Sequence, residues 1–301
     1  MIATALIDCG DLCGESPRWD AETQTLYWTD ASGKKLHMYS WQSGRHEVIL
    51  DGFEVNGFAV DAGGGLVLAS CSGIWIWRQG GMPIQLASHF GNIEMRVNDC
   101  TADPQGRLIV GSNFYSPNGE YQLGKLLLVD LDGSVRMLDE GFHLANGMAF
   151  SPNAEILYFA DSIVRRIYCY AYDAAAGQAS TRKVFAILEG DAGLPDGLAV
   201  DAEGFVWCAE WYGSRITRFD PDGKVERRIS LPAKQISSLT FGGPELTDIF
   251  VTSAATSEPM PAMPPGYDPQ TGYFGGALFH INVGIAGKQE FKTALNAGME
   301  R

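Results

Sequence analysis

The chain has 301 residues, 46% of them hydrophobic, enough for one large all-β domain or two smaller ones with a substantial core. Its net charge of -14 argues against a nucleic-acid partner, which needs a positive footprint, and against an anionic membrane surface. Residues 1–7 lack a basic start and soon meet Asp8 and Asp11, so no signal peptide is expected. No run reaches the roughly 18 apolar residues of a membrane helix, and the expected compartment is cytoplasmic. There Cys9, Cys13, Cys71, Cys100, Cys169 and Cys208 are expected as thiols. Nothing in the sequence fixes the oligomeric state.

Taken in order, the chain is dominated by strand signals. Short runs at 26–29, 66–69, 108–110, 156–159, 206–208 and 249–251 are apolar and rich in β-branched or aromatic residues. Each follows a cluster of Gly, Asp, Asn, Ser or Pro that supplies hairpin backbone angles. A third, alternating strand is predicted at 35–39, 73–77, 124–129, 166–170 and 215–219. A returning fourth is predicted at 45–50 and 224–229. Four antiparallel strands recurring every roughly 40 to 50 residues are the signature of a propeller blade. Six copies fill the chain, so residues 1–301 are predicted to form a single six-bladed β-propeller domain, all-β, with no long amphipathic helix. The N-terminal run 3–7 is expected to join the last blade and cover an exposed edge. The Pro-rich stretch 254–274 breaks the rhythm. It is read as a surface excursion over the last blade, either a lid or a solvated connector. The excursion 114–120 in the third blade is read the same way.

One polar position recurs at the start of each apolar strand. It is clearest in Asn146-Gly147 and Asp196-Gly197, and the same register gives Glu15, Asn56, Asn98 and, more weakly, Ser237. In a closed ring these six residues face one axis. Oxygen donors meeting there describe either a hard-cation site or a water-filled channel with a polar lining.

Four motifs in order, Gly14-Glu15-Ser16-Pro17, Arg96-Val97-Asn98-Asp99, Ala145-Asn146-Gly147 and Pro195-Asp196-Gly197, resemble the gluconolactonase / senescence marker protein (regucalcin) family over nearly the whole chain. The resemblance implies a six-bladed propeller with one divalent cation in its channel, ligated by Glu15, Asn146 and Asp196. It implies Asn98 beside them, contacting water or substrate, and Arg96 and Glu120 on sugar hydroxyls. Ca²⁺ is the expected ion, with Mg²⁺, Mn²⁺, Zn²⁺ or Fe²⁺ compatible. The implied activity is hydrolysis of an aldonolactone to its aldonic acid, with the cation polarising the carbonyl and Asp196 taking a proton from water or orienting it. The alternatives are a phosphotriesterase or arylesterase on the same cation, and a calcium-binding regulatory propeller without catalysis. The sequence names neither the sugar nor its ring size.

Overall fold

The computed structural model describes residues 3–112, 114–115, 121–256, 262–268 and 270–295. Six four-stranded antiparallel sheets stand around an axis, and no helix occurs among the described residues. Blade 1 runs through Gly14–Asp20, Thr25–Asp30, Lys35–Ser40 and His46–Asp51 from the hub outward. The innermost strands of blades 2 to 6 are Gly57–Val60, Val97–Ala102, Ala145–Phe150, Leu194–Val200 and Ile236–Gly242. Thr4–Asp8 pairs antiparallel with Ala277–Asn282 and forms the outermost strand of blade 6, as the sequence predicts. The first strand of the chain and the last thus share one sheet, which closes the ring.

Burial falls from hub to rim. Every residue of Leu194–Val200 and Ile236–Gly242 is buried, whereas the outer strand Gln178–Ile187 is mostly exposed. Inner strands are covered on both faces by neighbouring blades, so they read as continuous apolar runs rather than as alternation. The blade interfaces are filled with large side chains. Trp207 meets Phe241 edge-on at 5.8 Å between blades 5 and 6, and Phe142 meets Phe159 at 4.6 Å between blades 3 and 4. All six cysteines are free thiols.

The chain after blade 6 crosses the mouth of the channel at the C-terminal ends of the inner strands. Gly287 N donates to Leu246 O of blade 6 at 2.7 Å, and Ala286 O accepts from Ala202 N of blade 5 at 2.8 Å. Phe291 meets Phe150 of blade 4 at 5.8 Å. Lys292 Nζ pairs with Asp20 and Glu22 of blade 1 at 2.8 and 2.9 Å. Thr293 N donates to Val60 O of blade 2 at 2.9 Å, and Ala294 N to Gly106 O of blade 3 at 2.8 Å. Phe291 and Lys292 are sequence neighbours that reach opposite blades, so the backbone runs over the hub and closes that mouth. Removing residues 284–301 should cost about 3–6 kcal/mol of stability through the lost burial of Phe291 and Leu295. Urea denaturation measures it, and an unchanged midpoint would contradict a tail that ties the blades together.

The Pro-rich stretch forms no strand among its described residues. It is anchored all the same. Ala255 N donates to Asp11 O, Gln235 N to Phe274 O, and Tyr267 packs on Tyr212 with ring centroids 4.2 Å apart. Between the second and third strands of blade 3, Phe114–Tyr115 pairs with Tyr121–Gln122 as a two-stranded ribbon.

Candidate active site

At the opposite mouth, five of the six inner strands carry a register shift at the same level. The shifts fall between Glu15 and Arg18, Val97 and Asp99, Ala145 and Met148, Pro195 and Leu198, and Ile236 and Ser238. A bulge inserts one residue, bends the strand and re-aims a side chain. Here it falls at or beside the recurring polar residue in blades 1, 3, 4, 5 and 6. Ser16, inside the first bulge, has φ 48°, a backbone conformation unusual for a residue with a side chain.

The glycine that follows the polar residue has a separate cause. A Cβ on Gly147 would lie 2.2 Å from Asp196 O and 2.5 Å from Leu198 N, both backbone atoms of the next blade. A Cβ on Gly197 would lie 2.1 Å from Ser238 Oγ. The inner strands touch at this level, and only hydrogen fits between them. Gly147→Ala must push blades 4 and 5 apart and should cost about 1–3 kcal/mol. A thermal melt measures it, and a fully stable variant would contradict the close approach.

Most of the polar residues at this level bridge to the next blade. Ser16 Oγ donates to Asn56 O at 3.1 Å, Asn56 Nδ2 to Val97 O at 2.8 Å, and Asn98 Nδ2 to Ala145 O at 3.0 Å. Asn146 Nδ2 donates to Ser162 Oγ at 3.2 Å, which donates to Pro195 O at 2.7 Å. Ser237 Oγ donates to Gly14 O. A girdle of side-chain hydrogen bonds thus links blades 1 to 5 in turn, and blade 6 back to blade 1. Asp196 occupies the blade 5 position. An ionised carboxylate has no proton to donate. Its Oδ1 is buried and has no partner among the described residues.

Three carboxylates share this level. Asp196 and Asp99 are 4% and 5% exposed, while Glu15 keeps some surface open to the channel. Burial, then the Asp99 charge, lifts Glu15 to about 8. Burial, then the charges of Glu15 and Asp99, raises Asp196 well above the carboxylate range, and only an Asn146 hydrogen bond opposes this. Burial also raises Asp99, against the pull of Arg18, the Cys100 N–H and the Ser16 hydroxyl. Arg18 Nη2 is 3.7 Å from Asp99 Oδ1 and 2.7 Å from Cys100 O. One guanidinium facing three acids leaves an excess of negative charge in a confined place.

This donor set fits a hard divalent cation. It offers two carboxylates and a carboxamide, and one buried carboxylate oxygen lacks any protein donor. Among the described residues no three His, Cys, Asp or Glu side chains gather as a ligand group, so Asn146 is needed to complete the set. Glu15, Asn146 and Asp196 would hold the ion.

The remaining sequence-predicted residues fall as follows. Asn98 stands at the same level, its amide nitrogen committed to blade 4. Arg96 is half-buried and near Cys71, whose thiol its charge pulls down against a larger rise from burial. Asp99, three residues after Arg96, pairs with Arg18. Glu120 lies outside the described residues. Sequence reasoning passed over Asp99 and Arg18 as members of the site. Two adjacent polar residues, Asn98 and Asp99, starting an otherwise apolar strand were the available sign of a bulge there.

Residues 13–255 match the family described as SMP-30/Gluconolactonase/LRE-like region. Pentonolactonase XacC of Haloferax volcanii is 32% identical over 298 residues, covering 99% of this chain and 100% of that protein. A 6-deoxy-6-sulfogluconolactonase of Pseudomonas putida is 32% identical over 244 residues, 80% of this chain and 82% of the relative. The crystal structure of a calcium-binding protein, regucalcin, from Agrobacterium tumefaciens superposes with a TM-score of 0.84 at 28% identity, covering 97% of each chain. The fold, the order of the motifs and these likenesses agree, and the chain belongs to the SMP-30/gluconolactonase/LRE-like family.

Proposed function

We propose that this protein hydrolyses a sugar lactone to its sugar acid, using a divalent cation held by Glu15, Asn146 and Asp196. The observation that carries the reading is the buried, unpartnered Asp196 Oδ1 among mutually repelling acids at one mouth of the channel. Bound there, the ion supplies Lewis acidity toward a lactone carbonyl and an adjacent water. Asp196 orients that water or accepts its proton, from a carboxylate whose position is fixed by the Pro195 and Gly197 backbone on either side. Asn98, anchored through Nδ2, presents its carbonyl oxygen to water or a substrate hydroxyl. Arg96 has no ion pair among the described residues, which suits a guanidinium kept for a sugar hydroxyl or for the carboxylate formed on ring opening. Glu120 is proposed on a second hydroxyl.

A crossing that closes the far mouth leaves one route in and out, so substrate enters on the side of the Pro-rich stretch. The names of the lactonase relatives support a polyhydroxylated lactone over a phosphotriester or an aryl ester. Ca²⁺ is the proposed ion, in line with a calcium-binding structural neighbour. The proposed compartment is the cytoplasm. The test is proton release from a panel of five- and six-membered aldonolactones, after chelation and stepwise return of Ca²⁺, Mg²⁺, Mn²⁺ and Zn²⁺, with spontaneous opening subtracted. Turnover of at least one aldonolactone above background, and less on paraoxon and phenyl acetate, is expected. Cation binding with no lactone turned over would overturn the catalytic reading in favour of a binding protein.

A further inference from the structure

We propose that Ser162 is a positioning residue of the cation site: its hydroxyl decides which end of the Asn146 carboxamide faces the channel, and it ties that ligand to the backbone that carries Asp196. This rests on the reading of Glu15, Asn146 and Asp196 as cation ligands.

Ser162 lies one residue beyond the strand Ile156–Asp161 and is 2% exposed. Its hydroxyl has one proton, which goes to Pro195 O at 2.7 Å. What Oγ then offers Asn146, 3.2 Å away, is lone pairs. The carboxamide must therefore turn its Nδ2 toward Ser162. The reverse rotamer would set two acceptors against each other in a buried place and leave both unsatisfied. With one Nδ2 proton on Ser162 and the amide's hydrogen bond to Asp196 taking the other, Oδ1 is the end left for the channel. A hard cation takes that oxygen and rejects an amide N–H₂ group.

The serine is itself held. Its N–H donates to Leu144 O at 3.1 Å, while Asp161 accepts from the His143 and Leu144 N–H groups at 2.9 and 3.0 Å. The 143–162 corner is thus closed on itself before it touches Asn146. Its other contact, Pro195 O, belongs to the residue before Asp196, and a proline ring stiffens the backbone there. One hydroxyl therefore couples a ligand on blade 4 to a ligand on blade 5.

The experiment is calorimetric titration of chelator-dialysed, full-length protein with Mn²⁺, alongside thermal melts. Ser162→Ala should weaken Mn²⁺ binding by about 10- to 100-fold, the usual consequence of losing a group that orients a ligand. Ser162→Thr, which keeps the hydroxyl, should bind like the wild type. Asn56→Ala removes another inter-blade hydrogen bond of the same girdle, to Val97 O. It should lower the melting temperature and leave Mn²⁺ affinity unchanged. Unchanged affinity in Ser162→Ala, or an equal loss in Asn56→Ala, would overturn the proposal while leaving the ligand assignment standing. Wild-type protein that binds no Mn²⁺ would overturn both. Should Ser162→Ala not fold, hydrogen exchange at the wild-type Asn146 side-chain amide decides. A slowly exchanging Nδ2 proton supports the geometry, and exchange at the free rate overturns it.

Discussion

Asp196→Asn should cut lactone hydrolysis by about 10³-fold or more and, in the same protein, raise the melting temperature of the cation-free form. On the proposed reading, the loss of activity follows from removing a ligand charge and the group that orients or deprotonates water. The gain in stability follows from the site's electrostatics. Asp196 is 4% exposed and stands against the charges of Glu15 and Asp99, with only the Asn146 side chain opposing the resulting rise in its pKa. An amide of the same shape removes that repulsion without opening a cavity. Relief of one such contact is worth about 0.5–2 kcal/mol, the usual scale of the trade between stability and function. Paired melts and lactone assays measure both effects. A variant that keeps wild-type turnover, or that loses activity only because it unfolds, would contradict the role given to Asp196.

Removing the cation should have the second largest effect. Protein dialysed against chelator should open lactones no faster than buffer does, and added cation should restore the rate. The melting temperature should climb with cation concentration. A ligand that binds only the folded state adds about 2.7 kcal/mol of stability at one hundred times its dissociation constant. The cause is again the excess of acid over base at one level of the channel, Glu15, Asp99 and Asp196 against Arg18. A melting temperature indifferent to Ca²⁺, Mg²⁺ and Mn²⁺ would mean that these acids are tolerated without a counter-ion.

The blades were legible in the sequence because propeller strands obey local rules. A run such as Ile156–Asp161 is largely apolar and aromatic, and a turn cluster precedes it. Hub strands covered on both sides lose their alternation, so Leu194–Val200 announces itself by continuous hydrophobicity interrupted only at Asp196. The recurring polar residue was legible for the same reason, since it opens a largely apolar run in successive blades. Its division of labour was not. Whether Asn56, Asn98 and Ser237 face a ligand or hold the next blade depends on a carbonyl some forty or more residues away in sequence. The cause of the glycine after Asn146 and Asp196, contact with the neighbouring blade, has no local sign in the sequence. The crossing of residues 283–295 was invisible, because a segment that touches six different blades follows no period. Ser162 gave no sign, since a serine after a strand is ordinary until its two partners are known.

A crystal soaked in Mn²⁺ and measured at a wavelength where manganese scatters anomalously tests the central claim most directly. The account predicts a single strong peak on the channel axis, about 2.0–2.6 Å from oxygens of Glu15, Asn146 and Asp196. A map with no peak at that mouth, or with manganese bound only to carboxylates on the rim of the blades, would contradict it.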